Sequence, residues 1–319
     1  MQSNFLVYLK LCLVSMIWGG TFVAGRYLAD GAPPLFVSSI RFWLASAALA
    51  IFLGMKQQPL VRINMRQFVQ LLALGFFGIF AYNLCFFYGL HYISASRASL
   101  IVALNPAVMA LIAYTFFNEK LSVLKIISIA LCLFGAAMII ISKQAPMQGA
   151  TADSGYGDML LLGCVISWGI YSVFSKNLSA SIGALHAVSY SIWFGTAMLT
   201  AMAVATGQFS YSMLIGLRLP AIVSLAYLGI IGSALAYILY YDCIQKIGAT
   251  RSGVFIALNP LTAVFLGTVI LDESLTVPMF IGGGLVIVGI ILCNLPARPK
   301  LHEQAAPIQT PAQPAPRER

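Results

Sequence analysis

The chain has 319 residues, 60% of them hydrophobic and only 8% charged, with a formal net charge of +9 and a mean hydropathy of +0.91. A soluble domain carries about 25% charged residues, so this chain cannot cover itself with water-compatible side chains and is read as an integral membrane protein. The positive charge reads as membrane topology and contact with anionic lipid, not as nucleic-acid binding.

The charges punctuate long apolar runs of about 17–25 residues, which suit helices crossing a hydrocarbon core of about 30 Å. The period-two alternation of barrel strands is absent. Ten spans follow: 6–25, 35–54, 68–90, 98–117, 124–142, 158–176, 185–206, 219–241, 252–271 and 278–295. Nine is the competing count, because the third and seventh have weakly charged flanks.

The first span holds Trp18 and Thr21. It lacks the basic n-region and small-x-small cleavage site of a signal peptide. The second carries Arg41, and the third Tyr82, Asn83 and Tyr88. The fourth contains Asn105-Pro106 and ends on Glu119. The fifth is a Gly-containing closing helix, followed by the polar loop 143–157.

Trp168 and Tyr171 lie in the sixth span, and Tyr190 and Trp193 in the seventh, which His186 begins. The eighth ends in Tyr237 and Tyr240, with Asp242 beyond. The ninth contains Asn259-Pro260 and leads to Glu273. The tenth carries Gly282, Gly283 and Gly284, which read as close helix packing, since no Lys-Ser/Thr follows to make a phosphate loop. Proline-rich 298–319 reads as a disordered tail. The six cysteines form no CxxC, so neither a disulfide framework nor a metal site is expected.

Basic residues set the orientation. With the N-terminus inside, thirteen Lys and Arg fall on the cytoplasmic side and four (Arg26, Arg97, Lys143, Arg218) outside, which places both termini in the cytoplasm.

The chain also repeats itself. IVALNP at 101 returns as FIALNP at 255, with Arg97 against Arg251 and Glu119 against Glu273 at the same 154-residue offset. IWGGTFVAGR at 17 resembles SWGIYSVFSK at 167. The repeated lines are five spans apart, so they cross the membrane in opposite senses. The expected fold is therefore all-α, ten transmembrane helices as two inverted five-helix repeats. The first repeat is 1–142, the linker 143–157, the second repeat 158–297 and the cytoplasmic tail 298–319. Two such halves can exchange conformations and so alternate access between the two sides. A transporter needs that symmetry; an enzyme does not, and none is expected.

These motifs together resemble the EamA branch of the drug/metabolite transporter superfamily, over 1–297. The resemblance rests on Trp18, Gly19, Gly20 and Phe22, on IRFWLA around Arg41 and Phe42, on ALNP…NEKL and ALNP…DESL, and on the two closing helices. It implies an exporter of small metabolites, often amino acids, in the bacterial inner membrane. In one respect the halves depart from each other: Tyr190 and Ser191 stand where the first half has Arg41.

Arg41 could clamp a substrate carboxylate with its planar fork, or snorkel to the interface. The prolines at 106 and 260 free backbone carbonyls and are expected to kink their helices. Asn105 and Asn259 either line a central cavity or satisfy that backbone. Trp18, Thr21, Tyr82, Asn83, Tyr88, Trp168, Tyr171, Tyr190, Trp193 and Tyr237 complete the candidate substrate site; each aromatic also has a packing or interfacial reading. No carboxylate lies deep in a span, which disfavours cationic cargo and a carboxylate proton carrier. The expected partners are a small molecule and membrane lipid, with no cofactor and no nucleic acid. A broader drug or toxin exporter and a non-transporting scaffold are the alternatives.

Overall fold

The computed structural model describes residues 2–117, 123–141, 154–247 and 255–293. All secondary structure among them is helical. Helix α1 is Gln2–Ala29 and α2 Pro34–Met55. Helix α3 (Met65–Gly75) runs through a π-helical segment, Phe76–Ala81, into α4 (Tyr82–Tyr92). Then come α5 (Ala95–Val102), α6 (Asn105–Phe117) and α7 (Val123–Ile141).

The later part opens with α8 (Ser154–Ile182) and α9 (Ala184–Ala205), followed by the short α10 (Tyr211–Ile215). Helix α11 (Leu219–Ala226) passes through a second π segment, Tyr227–Leu235, into α12 (Ala236–Ile247). A 3-10 turn, Phe255–Leu258, precedes α13 (Asn259–Ile270), and α14 is Val277–Cys293.

Seven helical stretches among the described residues are long and apolar enough to cross a membrane, and Ile126–Gly135, Asn259–Ile270 and Val277–Gly289 are shorter apolar helices. The chain is thus a multi-pass membrane protein. Large apolar side chains such as Phe116, Phe134 and Phe280 are 67%, 63% and 78% exposed, as a lipid-facing surface requires and a water-facing one could not tolerate.

The two expected proline kinks are breaks. Helix α5 stops at Val102, residues 103–104 form a turn, and α6 restarts at Asn105. The later helix enters through the 3-10 turn and restarts at Asn259. A proline near a helix start forfeits no bond, since the first N–H groups of a helix have no intrahelical acceptor.

Packing repeats itself as the sequence does. Helix α1 packs on α12 and α13, while α8 packs on α4 and α6. Helices α2 and α9 pack on each other, as do α7 and α14. A Cβ on Gly232 would stand 2.7 Å from Thr21 Cγ2, and one on Gly78 would overlap the Tyr171 ring. Likewise one on Gly229 would meet Arg41 O at 2.6 Å, and one on Gly75 would meet Ser191 O at 2.8 Å. Glycine is what lets these π segments lie against their neighbours. The Gly-rich closing helices meet each other: Gly135 abuts Gly282 O, and Cys132 Sγ donates to Val286 O at 3.6 Å.

Candidate functional site

The end of the bundle bearing the start of α1 is called the near end, and the opposite one the far end. Between them lies a cavity of about 40 Å³, lined by Trp18, Thr21, Arg41, Tyr82, Asn105, Trp168, Tyr237 and Asn259, with Phe22, Phe86, Val102 and Ile256 as its apolar wall. Eight of the thirteen residues anticipated from sequence meet there. It is far smaller than the roughly 300–1,000 Å³ of a formed ligand site.

Arg41 is 5% exposed. Its Nε donates to Ser233 Oγ at 3.0 Å and its Nη1 to Asn83 Oδ1 at 3.2 Å. The guanidinium also lies 5.1 Å from the Phe42 ring centroid and 6.0 Å from that of Phe87. One acceptor lies just after a π segment and the other within one. Asn83 follows the first, and its Nδ2 donates to Ile79 O at 2.7 Å; Ser233 lies in the second and donates to Leu228 O at 2.9 Å. Ile79 and Leu228 are themselves π-segment residues. Arg41 forms no ion pair among the described residues. An isolated buried charge costs several kcal/mol, of order, and a charged side chain inside a membrane usually serves function.

The aromatic wall is continuous. Trp18 meets Trp168, Tyr237 and Tyr240 at centroid separations of 6.2, 5.8 and 5.0 Å, and Tyr82 meets Trp168 at 5.4 Å. Trp18 Nε1 donates to Gly232 O at 3.0 Å, and Thr21 Oγ1 to Trp18 O at 2.6 Å. The two asparagines differ. The Asn259 amide, oriented by its surroundings, donates to Ser15 O and Ile256 O, each at 3.2 Å, and so satisfies the broken helix. Asn105 is 3% exposed, and its Oδ1 accepts no hydrogen bond.

The remaining candidates lie elsewhere. Tyr171 stacks behind Trp168 at 5.4 Å, and Asn83 reaches the site through Arg41. Tyr88 Oη accepts from Gln208 Nε2 at 3.0 Å at the far end. Tyr190 donates to Val61 O at 2.8 Å at the near end, and Trp193 donates to Ser46 O at 3.5 Å between α9 and α2. Neither of these two lines the cavity. Ser233 was missed from sequence, because one serine in an apolar span carries no distinguishing signal.

A vestibule of about 540 Å³ occupies the near end, lined in part by Gln58, Gly183, His186 and Asp242. Tyr237 lines both spaces and so stands between them. Asp242 accepts from Lys10 Nζ at 2.7 Å and from Lys246 Nζ at 3.0 Å. The Lys10 hydrogen bond, with Lys246 assisting, holds the Asp242 carboxyl below its ordinary value. This clamp is therefore intact above the ordinary carboxylate range and opens only as pH falls through the lowered value.

At the far end, polar ties join the two parts of the chain. Glu273 reaches across to the start of α5, where its carboxylate accepts from Ala95 N at 2.7 Å, Ser96 N at 2.9 Å and Ser96 Oγ at 2.5 Å. Glu273 thus caps a helix distant in the chain. Its repeat partner Glu119 lies outside the described residues. Beside this cap, Arg97 forks onto Asp158 through Nε–Oδ1 at 2.8 Å and Nη2–Oδ2 at 2.6 Å, with the two residues 1% and 3% exposed.

Comparison with known proteins names this arrangement. Residues 5–141 and 155–295 each match the EamA-like transporter family. The chain belongs to that family. Among curated relatives, the uncharacterized transporter YetK of Bacillus subtilis is 27% identical across 89% of this chain and 86% of its own. A probable terminal-alkyne amino-acid exporter of Streptantibioticus cattleyicolor is 28% identical, across 93% of this chain and 96% of its own. A solved crystal structure with 19% identity superposes with a TM-score of 0.63 over 90% of this chain and 95% of the other, which speaks to fold alone. This EamA member is therefore a transporter-family protein built of membrane helices.

Proposed function

We propose that the protein exports small carboxylate-bearing metabolites, amino acids or their derivatives, across the bacterial inner membrane by alternating access. The observation that carries this reading is the central cavity, where Arg41 stands buried among aromatic rings with no acidic partner among the described residues. A guanidinium offers a carboxylate two parallel N–H donors. The relative named as a probable amino-acid exporter supports the same class of cargo.

Ten helices in two inverted repeats, 1–142 and 158–297, supply the mechanism. The paired π segments, paired helix breaks and exchanged packing partners support that division. With the basic-rich loops and both termini in the cytoplasm, the near-end vestibule faces the cytoplasm and the far end faces out. The conformation described is then inward-facing, with cargo reaching Arg41 past Tyr237.

Counterflow in proteoliposomes tests this. Vesicles loaded with unlabelled amino acids and their derivatives are expected to accumulate labelled cargo for a subset of them, and Arg41→Gln to cut exchange by at least tenfold. A cationic dye that exchanges while every carboxylate fails would instead establish a drug exporter.

A further inference from the structure

The cavity's charge balance selects among carboxylates. Five acidic residues lie in the described part of the chain, and four are engaged elsewhere. Asp30 pairs with Arg26, Asp158 with Arg97, Asp242 with Lys10 and Lys246, and Glu273 caps α5. Asp272 sits in the turn after α13, with a positive φ of 52°. None lines the cavity. The vestibule adds no negative excess, since Asp242 at its edge is met by two ammonium groups. Among the described residues, the path to Arg41 thus carries no uncompensated acid.

A zwitterion suits such a site poorly. Its carboxylate can answer Arg41, but its ammonium would enter the same small space with no counter-charge, inside the field of the guanidinium. The aromatic faces there already pack edge-on against one another. Among the described residues that line the cavity, the buried acceptor without a partner is Asn105 Oδ1, a neutral amide oxygen. It suits a neutral N–H, and a buried acceptor left without a donor is costly.

We infer that the preferred cargo carries a net charge of −1: a carboxylate for Arg41 and, in place of an ammonium, a neutral N–H such as an acylated amine for Asn105. The inference rests on the transport reading above and narrows it to amine-masked amino acids and kindred organic monoanions. Arg41 neutralises the cargo, the aromatic wall takes its side chain, and Asn105 ranks the N-acyl compound above the bare acid.

Counterflow with wild-type protein tests it, using phenylalanine and leucine, their N-acetyl derivatives and their deaminated acids. The N-acetyl compounds are expected to exchange at least tenfold faster than the parent amino acids, with the deaminated acids between. Asn105→Ala is expected to bring the N-acetyl compound's rate down to that of the deaminated acid measured in the same variant. Parent amino acids that exchange as fast as their N-acetyl derivatives, or faster, would overturn the inference and leave the transport reading standing. Absence of exchange for every carboxylate would overturn both.

Discussion

At the scale of single residues, two of the three arginines buried among the described residues carry opposite roles. Arg97 is matched by Asp158 in a fork of near-ideal length, and its job is to hold α5 against α8. Among the described residues Arg41 has neutral partners only, Ser233 and Asn83, as the proposed carboxylate clamp requires. The contrast is testable without transport. Asp158→Asn strands the Arg97 charge and is expected to cost about 3–5 kcal/mol of stability, read as a lowered midpoint of thermal unfolding in detergent. Arg97→Met combined with Asp158→Leu removes both charges and should recover most of that loss. A double variant as unstable as the single one would show that packing, not charge, dominates there.

Arg41 was legible from sequence because a lone charge in an apolar run stands out. The Arg97–Asp158 pair was not, since its members lie 61 positions apart and each read as a span boundary. Tyr190 and Trp193 were misplaced for a related reason. In a helix apolar on every side, hydropathy does not say which face turns inward, and α9 turns these two toward the 56–64 loop and α2.

At the scale of elements, seven helices of membrane length were visible as apolar runs, and the Asn-Pro repeats marked the helix starts at Asn105 and Asn259. The π segments left no such mark: their i→i+5 bonding alters geometry and not composition. Yet they turn Asn83 and Ser233 to Arg41 from two sides. The breaks at Asn105 and Asn259 leave helix starts beside the cavity. Pro260→Ala should barely change stability, because a helix start forgoes that N–H in any case. It does remove the enforcement of the break. Exchange is expected to fall at least tenfold while the helical circular-dichroism signal stays at the wild-type level. Wild-type exchange in Pro260→Ala would mean that the Asn259 bonds to Ser15 and Ile256 hold the break unaided.

At the scale of the whole molecule, the near end holds a vestibule while the far end is tied by the Glu273 cap, the Arg97–Asp158 fork and the Gln208–Tyr88 bond. If the two halves exchange conformations, the ends must open alternately. Glu273 is the handle on that equilibrium, because charge-assisted hydrogen bonds contribute about 1.5–3 kcal/mol. Losing one such bond shifts a two-state ratio by roughly tenfold to a hundredfold.

The most direct measurement is therefore of paired distances at the two ends, by double electron–electron resonance, in wild-type and Glu273→Gln protein. One spin-label pair sits at Gln58→Cys and Leu185→Cys at the near end, the other at Asp30→Cys and Ser274→Cys at the far end. Glu273→Gln is predicted to lengthen the far-end distance and shorten the near-end distance together. Lengthening at the far end with the near end unmoved would contradict alternating access and reduce Glu273 to a local helix cap.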